Sequence, residues 1–265
     1  MALTMMAFRD VGRLFVAALA AAAAFGGSAW ADESYRTDYR VTLAGLPVAR
    51  ASFTTHISDR DYRIAGDISS AGLVNVFTSL TASTSVEGQM VGAEKLQPAS
   101  YELVYTRGKR TRTYDVRFSG GSVVRTSITP EPKRNAERWI PVAPGDLRSV
   151  FDPLGGLVLS DNGGLCNRTI PIYDGESRMD LVLSPKGKAK FTAGDTSGEA
   201  TVCNVRYVPK SGFNKGRSDI EYLRQAQDME IWFAKAGGMK LYAPVYAKVP
   251  TRVGPLYITA TRFGA

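Results

Sequence analysis

The chain has 265 residues and a formal net charge of +8, from 33 basic and 25 acidic side chains. A single histidine, His56, cannot supply a metal cluster, so a histidine-built metal centre is excluded. Beyond the first thirty residues no window holds roughly 18 consecutive apolar residues, which excludes a membrane-spanning helix in the rest of the chain.

Arg9 and Arg13 precede an apolar run from Leu14 to Phe25, which Gly26, Gly27 and Ser28 follow. Basic, then apolar, then small is the order of a secretory signal, and Ala29 and Ala31 flank Trp30 as a cleavage site requires. The run is short and rich in alanine, whereas a bilayer span takes roughly 20 strongly apolar residues, so cleavage after Ala31 is expected over retention as an anchor. The two arginines are not adjacent and no cysteine lies near the site, which points to the general secretory route without a lipid anchor. The expected organisation is a cleavable signal over 1–31 and one domain over 32–265. Removing the leader leaves 31 basic against 24 acidic residues, a moderately basic mature chain long enough for one large β domain.

From Tyr35 onward the chain repeats short β-branched and aromatic runs with period-two alternation, broken by Gly, Asp, Asn or Pro. Tyr39, Val41 and Leu43 alternate before a turn at Gly45, and Val48, Ala51 and Phe53 begin the return strand of a hairpin. Tyr62, Ile64 and Ile68 mark a third strand. Leu73, Val76, Phe77 and Leu80 share one face at helical spacing, and a short helix is expected there. Strands follow at 82–90, 99–106, 112–118 and 123–128, forming a meander. Residues 130–144 carry four prolines and several charges, which predicts a long connection or a lid.

Leu147, Val150, Phe151 and Leu154 share a helical face, so 146–159 reads as the clearest helical region. Within it Asp152-Pro153 looks like an N-cap followed by proline at the first helical position, so two short helices meeting at Phe151 are the other reading. Further strands are expected at 168–173, 179–184, 188–191, 199–208, 229–234 and 241–249, with a terminal run at 256–260. The fold class is mainly β: a single highly curled antiparallel sheet, an open barrel or β-spiral, with one or two short helices. Cys166 and Cys203 are the only cysteines, and an even pair in an exported chain reads as one structural disulfide.

Chemistry-bearing motifs are sparse. There is no G-x-S-x-G elbow, no phosphate-binding G-x-x-x-x-G-K-[ST] loop and no H-E-x-x-H helix. Asp174, Glu176 and Asp180 cluster around Gly175 and offer paired carboxylates to a glycan-active enzyme, but Asp174-Gly175 is first a turn signal, and Arg168 and Arg178 offer ordinary ion pairs. The basic runs 107–112 and 133–138 suit solvated hairpin tips or an anionic envelope surface; export argues against nucleic acid. No catalytic, cofactor-binding or metal-ligating residue is assigned, and no cofactor is expected.

The succession Y-x-V-x-L-A-G-L-P-V-A-R at 39–50, D-P-L-G-G-L at 152–157, Y-D-G at 173–175 and C-N-V-R-Y-V-P at 203–209 resembles the DUF3108 family of exported bacterial proteins. The resemblance covers nearly all of the mature chain. It implies a periplasmic β-rich domain of unknown function, with no active site to carry over. By fold-level analogy the chain is also similar to curled-sheet periplasmic lipid carriers and envelope-integrity proteins, in which a bent sheet wraps a helix or an apolar ligand. The leading expectation is a noncatalytic periplasmic protein that supports the cell envelope by binding an apolar or amphipathic ligand or another envelope component. Phe77, Phe151, Leu154 and Trp232 are the candidate apolar lining, with ordinary core packing as the other reading of each. The alternatives are the glycan-active enzyme and a protein-interaction module built on a strand edge or on 130–144.

Overall fold

The computed structural model describes residues 33–72, 79–92, 95–162, 164–237 and 241–264. The leader lies outside these residues, as do Leu73, Val76 and Phe77; Leu80 opens a strand. The strands in chain order are β1 (Glu33–Leu43), β2 (Leu46–Ile57), β3 (Asp61–Ser70), β4 (Leu80–Val91), β5 (Lys95–Arg107), β6 (Arg110–Ser119), β7 (Ser122–Thr129) and β8 (Trp139–Ile140). They continue as β9 (Leu159–Ser160), β10 (Arg168–Tyr173), β11 (Arg178–Ala193), β12 (Thr196–Ser211), β13 (Phe213–Asn214), β14 (Glu230–Lys235), β15 (Leu241–Thr251) and β16 (Gly254–Gly264). One α-helix, α1 (Ser218–Gln225), lies among the described residues.

One antiparallel sheet runs in the order β10, β11, β12, β14, β15, β16, β1, β2, β3, β4, β5, β6, β7, with β9 paired to β15, while β8 and β13 form a separate ribbon. Period-two alternation fixes its faces. In β4, Ala82, Thr84, Val86 and Gly88 are buried while Thr81, Ser83, Glu87 and Gln89 are exposed. Prolines mark most of the irregularities in the ladder. Pro47, Pro98, Pro185, Pro209 and Pro244 each sit beside a register shift in the ladder. A residue without an N–H is tolerated at such bulges, and each bulge sharpens the local twist.

The curl brings the two ends of the sheet together. Tyr173, on edge strand β10, pairs through its hydroxyl with Thr126 Oγ1 on edge strand β7 at 3.3 Å, and donates to the Gly175 carbonyl at 2.9 Å. No backbone ladder joins β7 to β10 among the described residues, so the sheet is strongly curled and not closed. Segment 130–142 lies over this seam: Glu131, Arg134, Trp139 and Val142 border it with Tyr173 and Glu176, and Arg134 stacks 4.9 Å over Trp139. It is pinned by the β8–β13 pairing and by the Gly212 N–H, which donates to the Ile140 carbonyl. Gly212 has φ +80°, and a Cβ there would stand 1.9 Å from the Glu176 carbonyl oxygen, so only glycine fits that crossing.

The helix expected over 146–159 does not form. Residues 144–158 instead make two short 3-10 turns, Pro144–Leu147 and Gly155–Leu157, around an extended stretch in which Phe151 bridges Ile172 in parallel. Pro144, Pro153 and the Gly155-Gly156 pair disfavour a continuous α-helix, and Ser149 stands at φ 52°. The segment still plugs the curl. Val150, 1 % exposed, packs with Val86, Val116 and Phe118, and Leu147, Leu154 and Val158 pack against that cluster. A second cluster gathers Ile170, Ile172, Leu183, Ile231 and Phe233; a third, rich in alanine, joins the tip of the β11–β12 hairpin to β16 through Ala193, Ala200, Ala260 and Phe263. No helix of the described residues is long and apolar enough to cross a membrane.

Candidate functional site

The plug fills the centre of the curl and leaves a cleft of about 680 Å³ beside it, between the β4–β5 hairpin and the chain from 151 to 170. The wall is apolar on both sides: Val91 and Leu96 from the hairpin, Phe151, Val158, Leu159 and Ile170 opposite. The rim is polar and carries two cations, Lys95 and Arg168, with Ser160, Asn162, Asn167 and Thr169. Gly155 and Gly156, in the 3-10 turn, complete the lining without side chains.

Arg168 opens β10, and its guanidinium gathers the rim loop. Nη2 donates to the carbonyls of Ser160 at 2.8 Å, Gly164 at 3.0 Å and Asn162 at 3.3 Å. Its Nε is buried and has no hydrogen-bond partner. Burial pulls the Arg168 pKa below its ordinary value, opposed by the charge of Asp161. Immediately before β10, Cys166 is disulfide-bonded to Cys203 on β12, with Cα atoms 5.3 Å apart, so the rim loop is bolted to the sheet.

Behind Gly155 lies a buried polar pair. Asp152 is fully buried; its Oδ1 accepts from the N–H groups of Leu154 at 2.8 Å and Gly155 at 2.7 Å, an Asx turn leading into the 3-10 turn whose own N-cap is Leu154, not the expected Asp152. Asp152 Oδ2 and the Tyr62 hydroxyl are both buried without a hydrogen-bond partner. Burial pushes the Asp152 carboxyl up to about 6, against the pull of those two N–H groups. Burial, with the charge of Asp152, also raises the Tyr62 pKa.

The expected lining residues separate. Phe151 lines the cleft. Leu154 turns into the plug core, because its neighbours in the 3-10 turn bring it against the cluster of Val86 and Val116. Trp232 lies apart from both: its ring meets that of Tyr246 at a tilt of 42° with centroids 4.4 Å apart, its Nε1 donates to Glu230 Oε1 at 3.3 Å, and it packs against the alanine-rich cluster. Phe77 falls outside the described residues. Val91, Leu96 and Arg168 were not expected at a site; the cleft forms between segments some seventy positions apart, which no local pattern signals.

The carboxylates around Gly175 are engaged in structure. Asp174 Oδ1 accepts from the N–H groups of Ser177 at 2.6 Å and Glu176 at 2.9 Å, closing the β10–β11 turn, and burial raises its pKa. Asp180 is held by Arg178 at 2.6 Å and Lys210 at 3.2 Å. Arg178 also donates from Nε to the Asp146 carbonyl, and Ser211 Oγ donates to Asp146 Oδ2, so this network anchors the first 3-10 turn on the base of the β11–β12 hairpin. Among the described residues no group of three or more His, Cys, Asp or Glu side chains is placed to hold a metal ion.

No curated protein matches the chain. Its fold is similar to that of the crystal structure of a beta-barrel-like protein of domain of unknown function DUF1849 from Brucella abortus, with a TM-score of 0.50 at 11 % identity over 88 % of this chain and 98 % of that one. At that identity the likeness speaks for the fold alone, and it agrees with the curled, unclosed sheet. The family model of DUF3108, a protein of unknown function, matches residues 38–261, and the chain belongs to that family.

Proposed function

We propose that this chain is a noncatalytic, exported protein of the bacterial periplasm that supports the cell envelope by holding an apolar or amphipathic ligand in the cleft between the β4–β5 hairpin and the 151–170 segment. Export is supported by the leader, in which Arg9 and Arg13 precede an apolar run and the A-x-A site at Ala29–Ala31, and by the single Cys166–Cys203 disulfide, which suits an oxidising compartment. The observation that carries the ligand reading is the composition of the cleft. Apolar side chains of Val91, Leu96, Phe151, Val158, Leu159 and Ile170 face a space of about 680 Å³ whose rim is polar, and both the size and the mixture are those of small-molecule sites.

The test is native mass spectrometry of the protein recovered from envelope extract without detergent, with Val91→Asp in parallel. Val91 is 48 % exposed and ends β4, so the substitution alters the wall and leaves the core intact. The expected result is a chain beginning at Asp32 that carries one small amphipathic adduct, absent from V91D. An adduct-free protein that takes up no amphiphile on incubation contradicts the ligand reading, and a native chain beginning at Met1 contradicts cleavage of the leader.

A further inference from the structure

We propose that the cleft selects its ligand by charge: Arg168 and Lys95 form an anion-recognising rim, and the occupant is a single-chain amphiphile with an anionic head, a carboxylate or a phosphate monoester. The inference rests on the reading that the cleft takes an amphiphile and adds which class of amphiphile it takes.

Three observations carry it. First, the described lining places two cations, Lys95 and Arg168, together at its rim. Asp161, whose charge reaches Arg168, is exposed and is not part of the lining. Both cations border the space that an entering head group occupies.

Second, Arg168 is held ready. Its Nη2 is fixed by three carbonyls of the 160–164 loop, which sets the plane of the guanidinium, while the buried Nε is left with a proton and no acceptor. A buried donor without a partner is costly, and a charged one is satisfied best by an anionic oxygen. With Nη2 engaged by the loop, the Nε–H is one charged donor for one oxygen of an anionic head.

Third, the apolar wall begins next to the cations. Ile170 is two residues from Arg168 along β10, and Leu96 directly follows Lys95 on β5. A head held at the rim thus places an attached alkyl chain against Leu96, Phe151, Val158 and Ile170. One chain suits the volume; a free anion would leave that wall unused.

The test keeps the tail constant and changes the head. Binding of dodecanoate, dodecyl phosphate, dodecyl maltoside and dodecyltrimethylammonium is measured by calorimetry on the oxidised protein, with inorganic phosphate as a tail-free probe. The expected order is the two anions first, about tenfold tighter than the maltoside, with the cation weakest and the anionic preference shrinking as salt is raised. Lys95→Gln lies at an exposed strand start, so it tests the rim without disturbing the fold; Arg168→Lys keeps the charge and removes the Nε donor. Both substitutions are expected to weaken the anions several-fold and leave the maltoside unchanged.

Equal affinity for all heads, in wild type and K95Q alike, overturns the charge assignment and leaves the amphiphile reading standing. Failure of every tailed probe to bind overturns that reading and this inference with it. Inorganic phosphate binding as tightly as dodecyl phosphate makes a free anion the ligand and overturns the amphiphile.

Discussion

Asp152 Oδ2 and the Tyr62 hydroxyl come together in the core because residue 155 has no side chain: a Cβ built on Gly155 would stand 2.7 Å from the first oxygen and 3.2 Å from the second. The plug meets β3 at this point, and the D-P-L-G-G-L run at 152–157 acquires a physical reason. Asp152 ties the turn, Pro153 sets its entry, and Gly155 leaves room for two polar groups that no other side chain satisfies.

A pH dependence follows from that burial. The Asp152 carboxyl is pushed from 3.8 up to about 6, so the folded state holds its proton more tightly than the unfolded chain does. The resulting stability is fully present below the unfolded value and is lost as pH rises through about 6, a loss of about 3 kcal/mol by neutral pH. Asp152→Asn keeps an oxygen for the Leu154 and Gly155 N–H groups and removes the titration. Urea unfolding across pH should show D152N gaining on wild type as pH rises from 4 to 7; parallel curves contradict the assignment.

Gly155→Ala places a methyl group against both oxygens. Overpacking of this kind costs about 1–3 kcal/mol, because the turn is fixed by the Asp152 carboxylate and cannot retreat cheaply. Gly145→Ala is the control: a Cβ there meets nothing within 4 Å, and its effect should stay within about 0.5 kcal/mol. Chemical denaturation of the two variants decides.

The disulfide closes a loop between cysteines 37 positions apart, worth roughly 4 kcal/mol on the chain-entropy account. Cys166 also anchors the loop that carries Asn162, Asn167 and Arg168. A Cys166→Ala/Cys203→Ala chain should therefore melt lower and, in amide hydrogen exchange, lose protection first at 160–168.

The Tyr173 hydroxyl bridges the edge strands β10 and β7 at the seam. Tyr173→Phe removes the bonds to Thr126 Oγ1 and the Gly175 carbonyl and should cost about 1–2 kcal/mol, more than Thr126→Val alone. A double-mutant cycle measures the coupling; none at all would mean that the two edges are held by packing only.

Most of the sheet was legible in the sequence because alternation is written locally: Tyr62, Ile64 and Ile68, or Tyr114, Val116 and Phe118, point the way they read. The strands expected at 179–184 and 188–191 proved to be one, Arg178–Ala193, because Pro185 makes a bulge and the ladder resumes beyond it. At Leu147, Val150, Phe151 and Leu154 the helical spacing was real and the conformation was not. An apolar segment crossing between two walls of a curl can bury those residues at similar intervals without helical hydrogen bonds, and the Gly and Pro content was the signal to weigh more heavily. The true helix, Ser218–Gln225, went unread because it buries little beyond Ile220; its acidic first turn, Asp219 and Glu221, and its final Arg224 were the available cue. The cleft was legible only in part. Phe151 could be named as an apolar residue with a role beyond packing, whereas its partnership with Leu96 and Arg168 is a product of the curl.

The central claim is that the cleft between the β4–β5 hairpin and the 151–170 segment holds the ligand. Amide chemical shifts recorded while dodecanoate is titrated into uniformly nitrogen-labelled protein test it most directly. Saturable shifts confined to Val91, Gly92, Leu96, Phe151, Gly155, Gly156 and Arg168 are predicted; an unchanged spectrum, or shifts centred on Trp232 and Tyr246, would contradict the account.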